Sequence, residues 1–153
     1  FFAWGELNDK PAYSLSQYKL YDHVHGTYPY EETLEDIAAS AYDGAASQLG
    51  HPWKIPTRAQ VDELLKKCSW VWGTTGGMAG YTVTGPNGST IFLPAAGKRV
   101  NEQTQDKGTA GYFWASALAD RSDNEAFTLE ISSTKHAIDY EFRYLGLPIR
   151  PVK

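Results

Sequence analysis

The side chains with the widest chemical repertoire are His23, His25, His51, His136 and the single cysteine, Cys68. His23 and His25 stand two apart, so on a strand they would share a face and offer two metal ligands. Asp22 or a distant carboxylate would be the third. No other ligand spacing supports a metal, and two surface or loop histidines in a tyrosine-rich segment are the simpler reading. Asp120, Asp123, Asn124 and Glu125 are an oxygen-rich cluster of the kind calcium uses. The EF-hand spacing is missing and Arg121 sits inside the cluster, which favours a polar hairpin loop between strands. A nucleophilic Cys68 would need exposure and a nearby base. One cysteine allows neither an intrachain disulfide nor a cysteine-rich zinc site. The chain has no G-x-S-x-G, H-E-x-x-H or G-x-x-x-x-G-K-[ST] motif. The glycines at 73, 76, 77 and 80 lack the lysine and hydroxyl that would hold phosphate, so they read as a flexible, turn-rich strand connection. The expectation is no catalytic residue, no metal and no cofactor.

Aromatic residues make up 14% of the chain, enough to build a binding face as well as a core. Trp53, Trp70, Trp72 and Trp114 lie within patterned segments and read as core. Tyr140, Phe142 and Tyr144 lie two apart and would face one side of a strand. Facing inward they are core; facing outward they form an aromatic platform for a sugar or a protein partner. The spacing leaves both open. Arg143 and Arg150 are candidates for buried, hydrogen-bonded guanidinium groups that brace loops.

These residues must be positioned by 153 residues with a net charge of −4, which suits one domain over 1–153. The only adjacent basic pairs are Lys66-Lys67 and Lys98-Arg99, so no nucleic-acid-binding face is expected. No apolar run approaches the length of a membrane span. The chain begins at Phe1, which suggests a processed product or a fragment. Residues 13–30 are rich in tyrosine and read as a long covering loop. The clearest helix starts at Thr57, where Gln60 completes a capping box and Val61, Leu64, Leu65 and Cys68 share an apolar face. On that face Cys68 reads as buried. A second helix is predicted over Ile37 to Leu49, stopped by Gly50 and preceded by the acidic run Glu31, Glu32, Glu35 and Asp36. From Trp70 onward the pattern is strands. Hairpins are expected around Gly85-Pro86-Asn87-Gly88, and a final strand pair at 139–144 and 147–152 around Gly146. Helices first and strands later give an α+β class with a mainly antiparallel twisted sheet.

Several stretches together resemble one known family. They are Phe2-Ala3-Trp4-Gly5-Glu6, Tyr42-Asp43-Gly44-Ala45-Ala46, Trp53-Lys54-Ile55-Pro56-Thr57, Tyr81 through Gly88, and Ile91 through Gly97. Gly111 through Ser116 and Arg143-Tyr144-Leu145-Gly146 with Ile149-Arg150-Pro151-Val152 complete the set. In order and spacing they resemble the Fibrobacter succinogenes major paralogous domain family of bacterial surface proteins and lipoproteins. The resemblance implies a C-type-lectin-like fold of the formylglycine-generating-enzyme branch, here without the family's usual first strand. It implies a fold-defining skeleton at Trp114, Ser116, Arg143, Gly146 and Arg150. Similar proteins are variable targets of diversity-generating retroelements, which makes Ala115, Ala117, Leu118, Asp120, Arg121, Tyr140, Phe142, Tyr144 and Leu147 candidate display positions. The paired cysteines of the sulfatase-activating enzymes and the calcium tripeptides of sugar-binding lectins do not occur here.

The expected function is non-enzymatic binding of a surface glycan or protein. The domain would belong to a bacterial cell-surface protein, lipid-anchored at full length. The expected site residues are Asp120, Arg121, Asp123, Tyr140, Phe142 and Tyr144. The alternatives are a retroelement-diversified receptor or phage-type tip protein, a metal-dependent enzyme using His23 and His25, and a structural or adhesion module.

Overall fold

A computed structural model of the chain describes residues 1–29, 34–120 and 122–153. Helix α1 spans Gly44–Leu49 and helix α2 spans Arg58–Lys67. The capping box of α2 forms as the sequence predicts. Gln60 N–H donates to the Thr57 hydroxyl at 3.2 Å, and Thr57 N–H donates to the Gln60 side-chain oxygen at 3.0 Å. Such a cap contributes about 1 kcal/mol. Val61 is buried, while Leu64, Leu65 and Cys68 are half-buried against the same apolar cluster. Cys68 is the C-cap residue of α2 and is less enclosed than its helical face suggests.

Helix α1 is shorter than the predicted 37–49 segment. Asp43 accepts from the N–H groups of Ala45 and Ala46, so the helix starts after it. Residues ahead of Asp43 are turns instead. The Ile37 N–H is committed to the Ser116 carbonyl at 2.9 Å, and Ala39 takes a left-handed φ of 58°. Gly50 ends the helix at φ 74°. Glu35 and Asp36 are exposed ahead of this turn, so they do not cap a helix; Glu31 and Glu32 lie outside the described residues.

Three antiparallel sheets follow. The first joins β1 (Ser69–Thr75), β2 (Met78–Thr84) and β3 (Thr90–Pro94). The glycine-rich stretch is a tight β1–β2 hairpin, not a flexible loop. Gly73 and Gly80 pair within the ladder, and only Gly76 and Gly77 turn. Both turn residues have positive φ, which is why glycine occupies them. The 85–88 turn links β2 to β3 as expected. A hairpin of β4 (Lys98–Val100) and β5 (Gln103–Gln105) was not legible in the pattern. The last sheet holds β6 (Ala110–Ala119), β7 (Ser122–Ser132) and β8 (Lys135–Phe142). The class is mixed α+β, mostly antiparallel, with two α-helices among the described residues.

The predicted final strand pair does not form. Strand β8 pairs along its length with β7, and the 147–152 segment makes only isolated bridges, Phe2 with Leu147 and Lys54 with Val152. Pro148 and Pro151 have no N–H to give a ladder. Pro148 instead accepts from Trp114 N–H at 3.1 Å.

Strands β6 and β7 are buried on both faces. Trp114 turns to a cluster with Trp4, Leu34, Ile37, Ile55 and Leu147; Phe113, Phe127, Leu129 and Ile131 turn to a cluster with Val61, Tyr81 and Leu93. Fully burying each such side chain contributes about 1.5–3 kcal/mol before chain entropy is counted. Trp53, Trp70 and Trp72 are only half-buried at the margins. Tyr13 and Tyr18 are fully buried with Ala3, so this part of the tyrosine-rich segment is core as well as cover. Tyr30 lies outside the described residues.

Thr128, opposite Trp114, is fully buried, and its hydroxyl has no hydrogen-bond partner among the described residues. An orphaned buried hydroxyl is a net penalty. Thr128→Val is therefore expected to raise stability by about 1 kcal/mol in urea unfolding; a loss of stability would mean that the hydroxyl is satisfied.

Candidate functional site

The β6–β7 hairpin is irregular at its tip, and the irregularity builds the site. Leu118 pairs with Ala126 and Ala119 with Ser122, so residues 123–125 of β7 stand opposite nothing on β6. A bulge of this kind redirects side chains out of the ladder. Asp123, Asn124 and Glu125 are therefore part of a bulged strand, not of the polar hairpin loop the sequence suggests. Between the two strands Asp120 turns, and Arg121 lies outside the described residues.

Arg143 fixes the bulge from beneath. It is 1% exposed. Its Nη1 donates to the Asp123 carbonyl at 2.9 Å, and its backbone N–H donates to the Asn124 carbonyl at 3.0 Å. Its Nε donates to the Tyr18 hydroxyl at 3.1 Å, and that hydroxyl donates to the Trp4 carbonyl at 2.6 Å. The guanidinium carbon lies 4.8 Å from the Trp4 ring centre and 5.0 Å from that of Tyr28. No carboxylate pairs with Arg143 among the described residues; aromatic faces, the Asp123 carbonyl and the Tyr18 hydroxyl hold the charge. Nη2 is buried and has no partner among the described residues.

Two adjoining concavities flank this centre. One, of about 320 Å³, is lined by Tyr28, Leu34, Glu35, Ala117, Leu118, Asp120, Asp123 and Arg143. The other, shallower one is lined by Tyr21, Tyr28, Ser122, Asp123, Asn124, Phe142 and Tyr144. Tyr28 and Asp123 belong to both, so the two form one groove. Phe142 is 41% exposed and lies parallel to Tyr144, ring centres 5.4 Å apart. Tyr21 meets Tyr28 edge-on at 5.0 Å. Burial pushes the Tyr28 hydroxyl up to about 12, although the Arg143 charge works the other way. It therefore remains a neutral donor and acceptor throughout the physiological range.

Compared with known proteins, the chain matches no protein-family model, no curated protein and no solved structure.

Of the expected residues, Asp120, Asp123, Phe142 and Tyr144 come together in this groove. Asp120 is already engaged, its carboxylate 2.7 Å from Arg58 Nη1 on the exposed surface. Tyr140 is not part of the groove lining. It packs into the second cluster, its ring 5.0 Å from that of Phe127. Strand alternation puts Tyr140 and Phe142 on one side, but that side is covered at Tyr140 and open at Phe142. Tyr144 lies past the end of β8, so the three rings are not one strand face. Arg150 is exposed, not buried as expected.

His23 and His25 sit in a turn, not on a strand, and their rings have separate partners. His23 Nε2 lies 3.2 Å from the Tyr18 carbonyl, and His25 Nδ1 lies 2.6 Å from the Asp22 carboxylate. Among the described residues no three His, Cys, Asp or Glu side chains converge on a point. Among the same residues no helix is long and apolar enough to cross a membrane. Tyr28, Leu34 and Glu35 were not foreseen as site residues. They lie about ninety residues before the bulge in sequence, and no local spacing joins them to it.

Proposed function

We propose that the chain is a non-enzymatic, C-type-lectin-like binding domain of a bacterial cell-surface protein, and that its groove takes a carbohydrate. The observation that carries this is the open Phe142 ring, stacked on Tyr144 and flanked by Ser122, Asp123 and Asn124. A flat apolar ring meets the C–H face of a sugar, and the neighbouring carboxylate and amide exchange hydrogen bonds with its hydroxyls. The family assignment belongs to the same proposal. It is supported by the structural duties of the implied skeleton: Trp114, Ser116 and Arg143 are buried, and a Cβ on Gly146 would meet the Tyr13 ring at 2.7 Å. Two helices and mainly antiparallel strands are what that resemblance implies. Display outside the cell through a lipid anchor on the full-length protein completes the reading.

A glycan array probed with the purified chain tests it. A defined set of glycans should bind, and Phe142→Ala should lower their affinity at least about tenfold. Phe142 is exposed, so this variant should melt within about 0.5 kcal/mol of the parent. Tyr140→Ala should instead be clearly destabilised, since its ring packs on the core. A surface protein captured in place of any glycan, still dependent on Phe142, would change the ligand class and keep the site.

The second reading, a retroelement-diversified receptor, is favoured by Ala117, Leu118, Asp120, Phe142 and Tyr144 all lining the groove. Ala115 and Leu147 are buried, so variation there would act on packing. Sequencing natural variants of the gene separates the two readings.

A further inference from the structure

A second cavity, of about 320 Å³, lies away from the groove, between α2, β3 and the 150–152 segment. Its walls are apolar: Trp53, Leu64, Ile91, Phe113 and Leu129 contribute most of the chemistry. Its polar side chains are nearly all donors. The Gln60 oxygen is used by Thr57 in the capping box, which turns the amide NH₂ the other way. The Trp114 indole N–H is spent on the Phe2 carbonyl at 2.8 Å. Arg150 is exposed at the cavity and has no carboxylate partner among the described residues. Lys153 does not line the cavity, but its Nζ lies 4.6 Å from the centre of the ring of Trp53, which does. Among the described residues no Asp or Glu lines the cavity, although the chain as a whole is acidic.

An apolar chamber with an exposed Arg150, and no acidic side chain among the described residues lining it, complements one kind of small molecule. We propose that this cavity is a binding site for a small amphiphile with a single anionic head, of the medium-chain carboxylate class. The apolar body fills the space between Leu64 and Ile91, and the head pairs with Arg150 and the Gln60 amide. Pockets of this size with few polar groups are the usual form of small-molecule sites. A carboxylate gains a charge-assisted bond that a neutral analogue forgoes. This site is independent of the carbohydrate groove.

Decanoate and decanol, titrated separately against the intact chain by tryptophan fluorescence, test the proposal, since Trp53 and Trp114 both line the cavity. Decanoate should bind saturably at one site, more tightly than decanol. Arg150→Gln, an exposed change, should weaken decanoate about tenfold and leave decanol unchanged. Leu64→Trp should abolish binding of both; Ile91→Trp, from the opposite wall, serves where Leu64→Trp does not fold. Decanoate and decanol binding equally, decanoate indifferent to Arg150→Gln, or a folded cavity-filling variant that still binds would each overturn it.

Discussion

Replacing Arg143 by alanine is expected to cost about 3–5 kcal/mol in urea unfolding, the largest effect of any single change at the groove. The side chain is among the largest that are fully buried. Burying a guanidinium costs several kcal/mol, which two hydrogen bonds and three ring contacts roughly offset. The charge is therefore close to neutral for stability, and the main loss on truncation is packed volume between Trp4, Tyr18 and Tyr28. Arg143→Met, apolar and of comparable length, should recover about half of the loss. Arg143→Lys should not, because a compact ammonium cannot stack on three rings and reach both Tyr18 and Asp123. If lysine rescues and methionine does not, charge rather than packing governs the position.

The second large effect is expected at Asp43. Asp43 is 1% exposed, and its carboxylate has no cation partner among the described residues. It is satisfied by backbone alone: Ala39 N–H at 2.8 Å, Ala45 at 2.9 Å, Ala46 at 3.1 Å and Ile55 at 3.0 Å. One side chain thus caps α1, closes the turn before it and holds the strand-like entry to α2. Asp43→Ala strands these donors, two of them on the buried residues Ala45 and Ile55. Each buried orphan costs about 1–3 kcal/mol, so a total of about 4 kcal/mol is expected in urea unfolding. Asp43→Asn keeps one oxygen and should cost roughly half as much. A change below about 1 kcal/mol for alanine would mean that the turn re-forms its bonds elsewhere.

These two residues also mark how far the sequence could be read. The capping box at Thr57 and the hairpin at 85–88 are local, set by residues a few positions apart, and both form where the pattern puts them. Asp43 looked like part of a short motif, but its bond to Ile55 spans twelve residues, and that bond helps shorten the predicted helix. The bulge at 123–125 is a register event between strands, invisible to alternation within either strand. The same holds for the aromatic triad. Period-two spacing groups Tyr140 with Phe142, yet only packing against Phe127 decides that the first is covered and the second open. Tyr28 entered the site through tertiary folding alone.

The most direct test of the carbohydrate groove is a backbone NMR titration with the tightest glycan from the array. Shift changes should concentrate at the amides of residues 122–124 and 142–144 and at Tyr28, with α2 and residues 150–153 unmoved. Changes centred on α2, β3 and Arg150 instead, with the groove silent, would contradict it.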